Sequence, residues 1–325
     1  MKSHVLRKKL LKDIKTISII GGGTMGSGIA MVFASSGYKV NLFSRTKETL
    51  DQAMRLMKKD LTFLANHGLG KLRDVNKILT RIKCIQNLEE AVMSADFVVE
   101  CVAENMELKQ EVFKQLDKIC PKNVILATNT SVMSPTQIAS KSMHRERILA
   151  THWWYPAFLI PLVEVVQTKE TADWVIKTTM DLHRKIGKYP VHVKKDIPGF
   201  IANRLQHALK REAISLVEHG IADAKTVDDS IKYSFGMRLP VLSTLENSDM
   251  NGLDLTLAIH DYLFKYLEDS HEPSILLKEK VKKNELGFKT NSGFMKWTAG
   301  KKEKLRKTVL EELARRVLET KKIKK

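Results

Sequence analysis

Apolar positions along this chain recur with two periods. Short β-rich apolar runs occur at residues 16–20, 39–43, 81–85, 97–101 and 124–127. They continue at 148–151, 163–167 and 191–193. Between them lie stretches of helical spacing. The clearest is 47–65, where Leu50, Met54, Met57, Leu61 and Leu64 fall on one face. Residues 29–33, 88–93, 108–119 and 173–186 read as further helical segments. Strands alternating with helices predict a largely parallel, doubly wound α/β sheet with helices on both faces.

The alternation stops at Asp196-Ile197-Pro198-Gly199. Beyond it strand-like runs nearly vanish, and 201–219, 224–233, 253–267 and 275–283 read as helices. A last amphipathic helix spans 301–320, with apolar residues at 305, 309, 310, 313, 317 and 318, and is expected to pack on its own protein. The pattern therefore predicts an α/β domain over 1–196 and an all-α domain over 197–325. Two domains suit a chain of 325 residues.

Charge changes the picture little. The net charge is +18, but the first fifteen and last thirty residues supply +13 of it, so the middle is only mildly basic. A nucleic-acid binder would show a basic face with interleaved aromatics or a known module, and neither occurs. No apolar run reaches the roughly 18 residues of a membrane span. Lys and Arg interrupt the start before an apolar core forms, so no secretory leader is expected; a mitochondrial presequence in Met1–Lys15 is the weaker alternative. Cys84, Cys101 and Cys120 are too few and too scattered for a disulfide framework or a zinc site, and read as reduced buried thiols in a cytoplasmic protein.

Chemistry enters with Gly21-Gly22-Gly23-Thr24-Met25-Gly26, which fits G-x-G-x-x-G directly after a strand and at the opening of a helix. Gly21 permits the tight turn. Gly23 lets backbone approach a pyrophosphate, and Gly26 lets helix and strand pack closely. An acid is expected about 20 residues on, at the end of the second strand, to hold the adenosine ribose. Here Ser44 and Arg45 stand there. Without a carboxylate to repel a 2′-phosphate, and with a guanidinium to bind one, the pair leans from NAD toward NADP. In the alternative, Ser44 holds a plain ribose and Arg45 stacks on adenine or faces solvent.

Two segments after strands carry further polar groups: Asn129-Thr130-Ser131, and His152 with Trp153, Trp154, Tyr155 and Pro156. Glu164 follows His152 by twelve residues. Ligands in open α/β sheets sit outside the carboxyl ends of the strands, where Ser131 and His152 are expected. A histidine with a carboxylate partner is a tuned general base.

With Val102-Ala103-Glu104-Asn105, Lys109, Leu162-Val163-Glu164-Val165, the run Asp196 to Arg204, and Gly287-Phe288-Lys289-Thr290 with Gly293-Phe294, the sequence resembles the L-3-hydroxyacyl-CoA dehydrogenase family from about Thr16 to Trp297. The resemblance implies a Rossmann-type domain followed by a helical domain through which members dimerise. It implies His152 as general base, Glu164 as the carboxylate that orients it, Ser131 as the hydroxyl on the substrate oxygen, and Asn203 as the amide reaching the substrate carbonyl. Glu104 and Lys109 would line the nicotinamide end, although Lys109 also reads as an exposed helix residue and Glu164 as a plain ion-pair partner. Asn129, Thr24 and Met25 join the cofactor-binding set with the glycines. The implied chemistry is reversible hydride transfer between NAD(P) and the 3-hydroxy position of an acyl-CoA, with no metal.

The departures point elsewhere. Tyr155 stands where the family has Asn, and Trp153 and Trp154 where it often has phenylalanines. Val132 replaces a serine, and Arg238 to Ser243 replaces a Met-Gly-Pro-Phe-like turn. These features resemble a side branch acting on small hydroxy acids, alcohols or aldehydes. A third reading is a non-catalytic dinucleotide-binding relative.

Overall fold

The computed structural model describes residues 9–323, with side chains to residue 320. The presequence reading of Met1–Lys15 thus falls mostly outside the described residues. The elements of the first region are β1 (Thr16–Ile20), α1 (Thr24–Ser35), β2 (Lys39–Phe43), α2 (Lys47–Asn66), α3 (Val75–Leu79), β3 (Ile82–Ile85), α4 (Leu88–Val92), β4 (Phe97–Glu100) and α5 (Met106–Ile119). They continue with β5 (Ile125–Thr128), α6 (Pro135–Ile138), β6 (Ile148–Trp153), β7 (Leu162–Val166), α7 (Asp173–Lys185) and β8 (Tyr189–Val193). The eight strands form one sheet in the order β3-β2-β1-β4-β5-β6-β7-β8. The first six run parallel, β7 runs antiparallel to β6, and β8 is parallel to β7. This is a Rossmann-like doubly wound sheet. Its strand order reverses between β1 and β4, the switch point at which such sheets bind ligands.

Side chains alternate between two buried layers, as the period of a strand requires. Ile17, Ile19, Phe97 and Val99 face one layer with Phe33 of α1 and Met57 of α2. Ile20, Val98 and Leu126 face the other with Phe113 and Leu116 of α5. Cys120 is buried, but Cys84 is exposed because β3 is the edge strand, which corrects the expectation that all three thiols are buried.

The remaining helices are α8 (Ala202–Glu218), α9 (Ala224–Lys232), α10 (Phe235–Arg238), α11 (Thr244–Asn251), α12 (Leu253–Leu263), α13 (Ile275–Lys282) and α14 (Ala299–Ile323). The chain forms two compact units, residues up to 203 with 309 onward, and 204–308. Where the sequence pattern puts everything after 196 into the second domain, the division falls inside α8, and the end of α14 returns to the first unit. Hydrogen bonds explain the first difference. Asp196 Oδ2 accepts from Ser134 Oγ and from the Thr136 amide at 3.1 Å, and Phe200 is fully buried against Ala150, Val166 and Val193. At the other end Ala314 is buried, and Leu318 lies beside Gly68 after α2.

α12 differs from the other long helices. Leu255, Leu257 and Ile259 give it apolar residues on more than one side, yet it has no buried residue. Among the described residues no helix is long and apolar enough to cross a membrane.

Candidate functional site

At the switch point, the turn from β1 into α1 has two positions that admit only glycine, Gly21 and Gly26. Gly21 has φ +119°, and a Cβ on it would lie 2.6 Å from the Cys101 carbonyl oxygen. A Cβ on Gly26 would lie 1.8 Å from the carbonyl oxygen of Gly21. Gly23 is the opposite case: it is exposed, and its Cβ would meet nothing within 4 Å. It is also the N-cap of α1, with no side chain capping the first turn. This open helix N-terminus fits the pyrophosphate of a dinucleotide. Thr24 beside it is exposed, while Met25 packs partly into the core. Ser44 is half-buried at the end of β2, where a Cβ on Gly22 would come within 3.4 Å of it, and Arg45 is exposed. Ser44 therefore stands next to the glycine turn, and Arg45 follows it in the chain.

Across the switch point, β4 ends in Glu100, a residue that the sequence reading does not single out. It is fully buried. Its Oε1 accepts from Lys109 Nζ at 2.8 Å and from the Val102 amide at 2.6 Å, and its Oε2 accepts from Thr128 Oγ1 at 2.7 Å. Lys109 is 1% exposed, so the alternative of an exposed helix residue fails. Its ammonium also reaches Glu104 Oε2 at 3.2 Å. Glu104 in turn accepts from the Ser131 amide at 2.9 Å and from Thr130 Oγ1. Partial burial pushes the Glu104 carboxyl up. The bonds from Thr130, Lys109 and Ser131 outweigh that and hold it below the ordinary carboxylate range. Only an acid at the end of an otherwise apolar strand hinted at Glu100.

These contacts fix the Ser131 loop. The Ser131 carbonyl accepts from Asn203 Nδ2 at 2.8 Å. Its side chain is exposed, and its hydroxyl makes no hydrogen bond among the described residues. Asn203 thus holds Ser131 with its amide N–H. Asn129, expected among the cofactor ligands, is buried: its Oδ1 accepts from the Trp153 amide at 2.9 Å and ties the end of β6 to β5.

His152 lies within β6 rather than just past its end, because antiparallel pairing with β7 extends the strand. The register sets His152 directly opposite Glu164, and His152 Nδ1 meets Glu164 Oε2 at 2.8 Å. Glu164 Oε1 accepts from the Ile201 and Ala202 amides, at 2.9 and 3.0 Å, at the start of α8. Burial pushes this carboxyl up, but the bonds from His152, Ala202 and Ile201 together bring it below its usual value. An ionised Glu164 makes Nδ1 the donor, which leaves Nε2 as the basic nitrogen. The Trp154 and Phe200 rings flank the imidazole, with centroids 5.2 and 5.7 Å away. The pair forms despite Tyr155, which is 65% exposed. Among the described residues no three His, Cys, Asp or Glu side chains gather as a metal site would require.

Residues 16–197 match the 3-hydroxyacyl-CoA dehydrogenase NAD-binding domain, and 199–297 match the 3-hydroxyacyl-CoA dehydrogenase C-terminal domain. A 3-hydroxybutyryl-CoA dehydrogenase of Clostridioides difficile is 36% identical over 86% of this chain and 98% of its own length. The 5-formyl-3-hydroxy-2-methylpyridine 4-carboxylate 5-dehydrogenase of Mesorhizobium japonicum is 31% identical over 94% of this chain and 99% of its own. A crystal structure of a dehydrogenase of that name, described as an NAD+-dependent dismutase, superposes with a TM-score of 0.86 at 30% identity, covering 95% of this chain and 98% of that one. A dinucleotide turn at the switch point and a buried His–Glu pair on the β6–β7 hairpin, under family matches spanning most of the chain, make this protein a member of the 3-hydroxyacyl-CoA dehydrogenase family of oxidoreductases.

Proposed function

We propose that the protein catalyses the reversible, NAD(P)-dependent oxidation of the 3-hydroxyl of a 3-hydroxyacyl-CoA to the ketone. The observation that carries this reading is the His152–Glu164 pair at 2.8 Å. His152 Nε2 takes the hydroxyl proton, and Glu164 stabilises the imidazolium that forms. The Ser131 hydroxyl donates to the substrate oxygen, while Asn203 and Glu104 hold the Ser131 backbone in place. Gly21, Gly23 and Gly26 shape the pyrophosphate turn, and Thr24, Met25, Ser44, Arg45, Glu104 and Lys109 complete the dinucleotide site, with Asn129 supporting it from beneath. The nicotinamide supplies the hydride acceptor when bound. A cofactor preference for NADP follows from the exposed Arg45 and the missing carboxylate at the end of β2.

The test is initial-rate oxidation of NADH and NADPH in parallel, with acetoacetyl-CoA as acceptor. Turnover on the order of 1–1,000 per second supports the reading, and the better cofactor decides the role of Ser44 and Arg45. His152→Ala should lower kcat by about 10²- to 10⁴-fold. Retained turnover in that variant would remove His152 from the mechanism, and dinucleotide binding with no turnover on any acceptor would favour a non-catalytic relative.

A second reading has the same chemistry acting on a small non-CoA aldehyde or alcohol. Tyr155 in place of the family's Asn favours it, as does the likeness to the pyridine-aldehyde dehydrogenase over nearly the whole chain. NADH consumption with a pyridine carbaldehyde but not with acetoacetyl-CoA would establish it.

The unburied apolar helix α12 supports a homodimer formed through the helical unit, since a helix that is apolar on several sides needs a cover. Three unpaired cysteines and the lack of a membrane-length helix among the described residues support a cytoplasmic setting.

A further inference from the structure

Lys188 lies in the turn between α7 and β8, and its amine is drawn into the protein. Its Nζ donates to the carbonyl of Ile160 at 2.8 Å and to that of Ala157. It also sits 5.0 Å over the ring of Trp153. Among the described residues no carboxylate lies within ion-pair distance of it. Lys188 is half-buried, and a cation drawn partly out of water without an anionic partner is costly unless its donors are satisfied. Burial duly pushes Lys188 down to about 7. Nothing in the proposed chemistry uses this group.

Its two carbonyl partners belong to the turn 156–160, which joins the strand of His152 to the strand of Glu164. The amides of Leu159 and Ile160 close on the Pro156 carbonyl, both at 3.0 Å, so the turn moves as a unit. Trp153, under the ammonium, is the next residue after His152. Trp154, on the same stretch, flanks the imidazole. On its other side the turn rests on α1: a Cβ at Gly28 would lie 3.2 Å from Ala157 Cβ. The turn thus touches both the strand of the base and the helix of the dinucleotide loop, and Lys188 ties it down from beneath.

We propose that Lys188 is a positioning residue for hydride transfer, which fixes the β6–β7 turn and with it the placement of His152 relative to the N-terminal end of α1. The charge–dipole bonds to two carbonyls hold a segment that other contacts leave to van der Waals packing alone on the α1 side. A misplacement of about 1 Å at the reacting groups costs as much as 10²-fold in rate. This proposal rests on the reading of His152 as the base.

The test uses the full chain and three measurements on Lys188→Met: kcat and KM with acetoacetyl-CoA, the primary isotope effect with 4-deuterated reduced cofactor, and dinucleotide Kd by fluorescence. The expected result is a tenfold or greater loss of kcat and a larger isotope effect, with the Kd changed less than threefold. A residue that only supports folding would lower the amount of active protein and leave the isotope effect unmoved. If Lys188→Met does not fold, Lys188→Gln, which keeps a donor but no charge, is expected to show the same pattern at smaller amplitude. A folded Lys188→Met within twofold of wild type in kcat and isotope effect overturns the proposal, as does Lys188→Gln with those values if Lys188→Met is lost. Absence of turnover in the wild-type protein on every acceptor would instead count against the reading of His152.

Discussion

His183, in α7, is fully buried, ringed by Phe33, Phe97 and Trp153, with its Nδ1 donating to the Thr179 carbonyl at 2.7 Å. Burial holds it neutral and pushes it down to about 4, against the pull of the Thr179 bond and with a push from Lys188. An unfolded histidine takes up a proton near 6.5. Stability from this residue is therefore full above about 6.5 and is lost as pH falls toward 4, because only the unfolded chain binds the proton over that range. Urea denaturation at pH 7 and pH 5 should show this fall, and His183→Phe should flatten it; an unchanged pH slope in that variant would refute the assignment. Glu100 is a second case. Removing it by Glu100→Ala leaves Lys109 buried with Glu104 as its remaining acid, and breaking such a pair costs about 3–5 kcal/mol. A loss under 1 kcal/mol in the same assay would show that Glu104 alone suffices. The residue types at the site were legible in the sequence, since His152, Glu164 and Ser131 stand out by kind and context. Glu100 was not, because the function of a buried acid depends on what it meets, and its partners come from β5, α5 and the following loop.

At the scale of elements, the strands and long helices followed from period alone, nearly residue for residue in β1 and β2. The short helices α3, α6, α10 and α11 were not read from the pattern, and α12 ends at Leu263 instead of running on to 267. The direction of β7 was not readable. The offset of twelve residues from His152 to Glu164 fits either a crossover or a hairpin, and only pairing fixes the register that sets the two side chains opposite. The turn from β1 to α1 makes the firmest prediction. A methyl at Gly26 would collide with the Gly21 carbonyl, backbone that cannot move without opening the turn. Gly26→Ala is expected to weaken dinucleotide binding by at least tenfold in a fluorescence titration. An unchanged Kd would mean that the pyrophosphate sits elsewhere.

On the scale of the whole molecule, the two units differ in how much apolar surface they bury. The first has a continuous core on both faces of its sheet, while the second leaves Leu257, Tyr262, Phe264 and Tyr266 more than half exposed. If a second copy covers this surface, Leu257→Glu with Phe264→Glu should convert a two-chain sedimentation mass into that of one chain. A double variant that sediments like wild type would place the interface elsewhere. The path of the chain has its own consequence. Since α14 rejoins the unit that the first 203 residues begin, the second unit is spliced into the first as an insertion. During synthesis the dinucleotide-binding half therefore emerges early but lacks its final piece until the residues from 309 onward have been made. A stop codon soon after Trp297, where the family match ends, would damage the domain made first, although the lesion lies roughly a hundred residues downstream of Asn203.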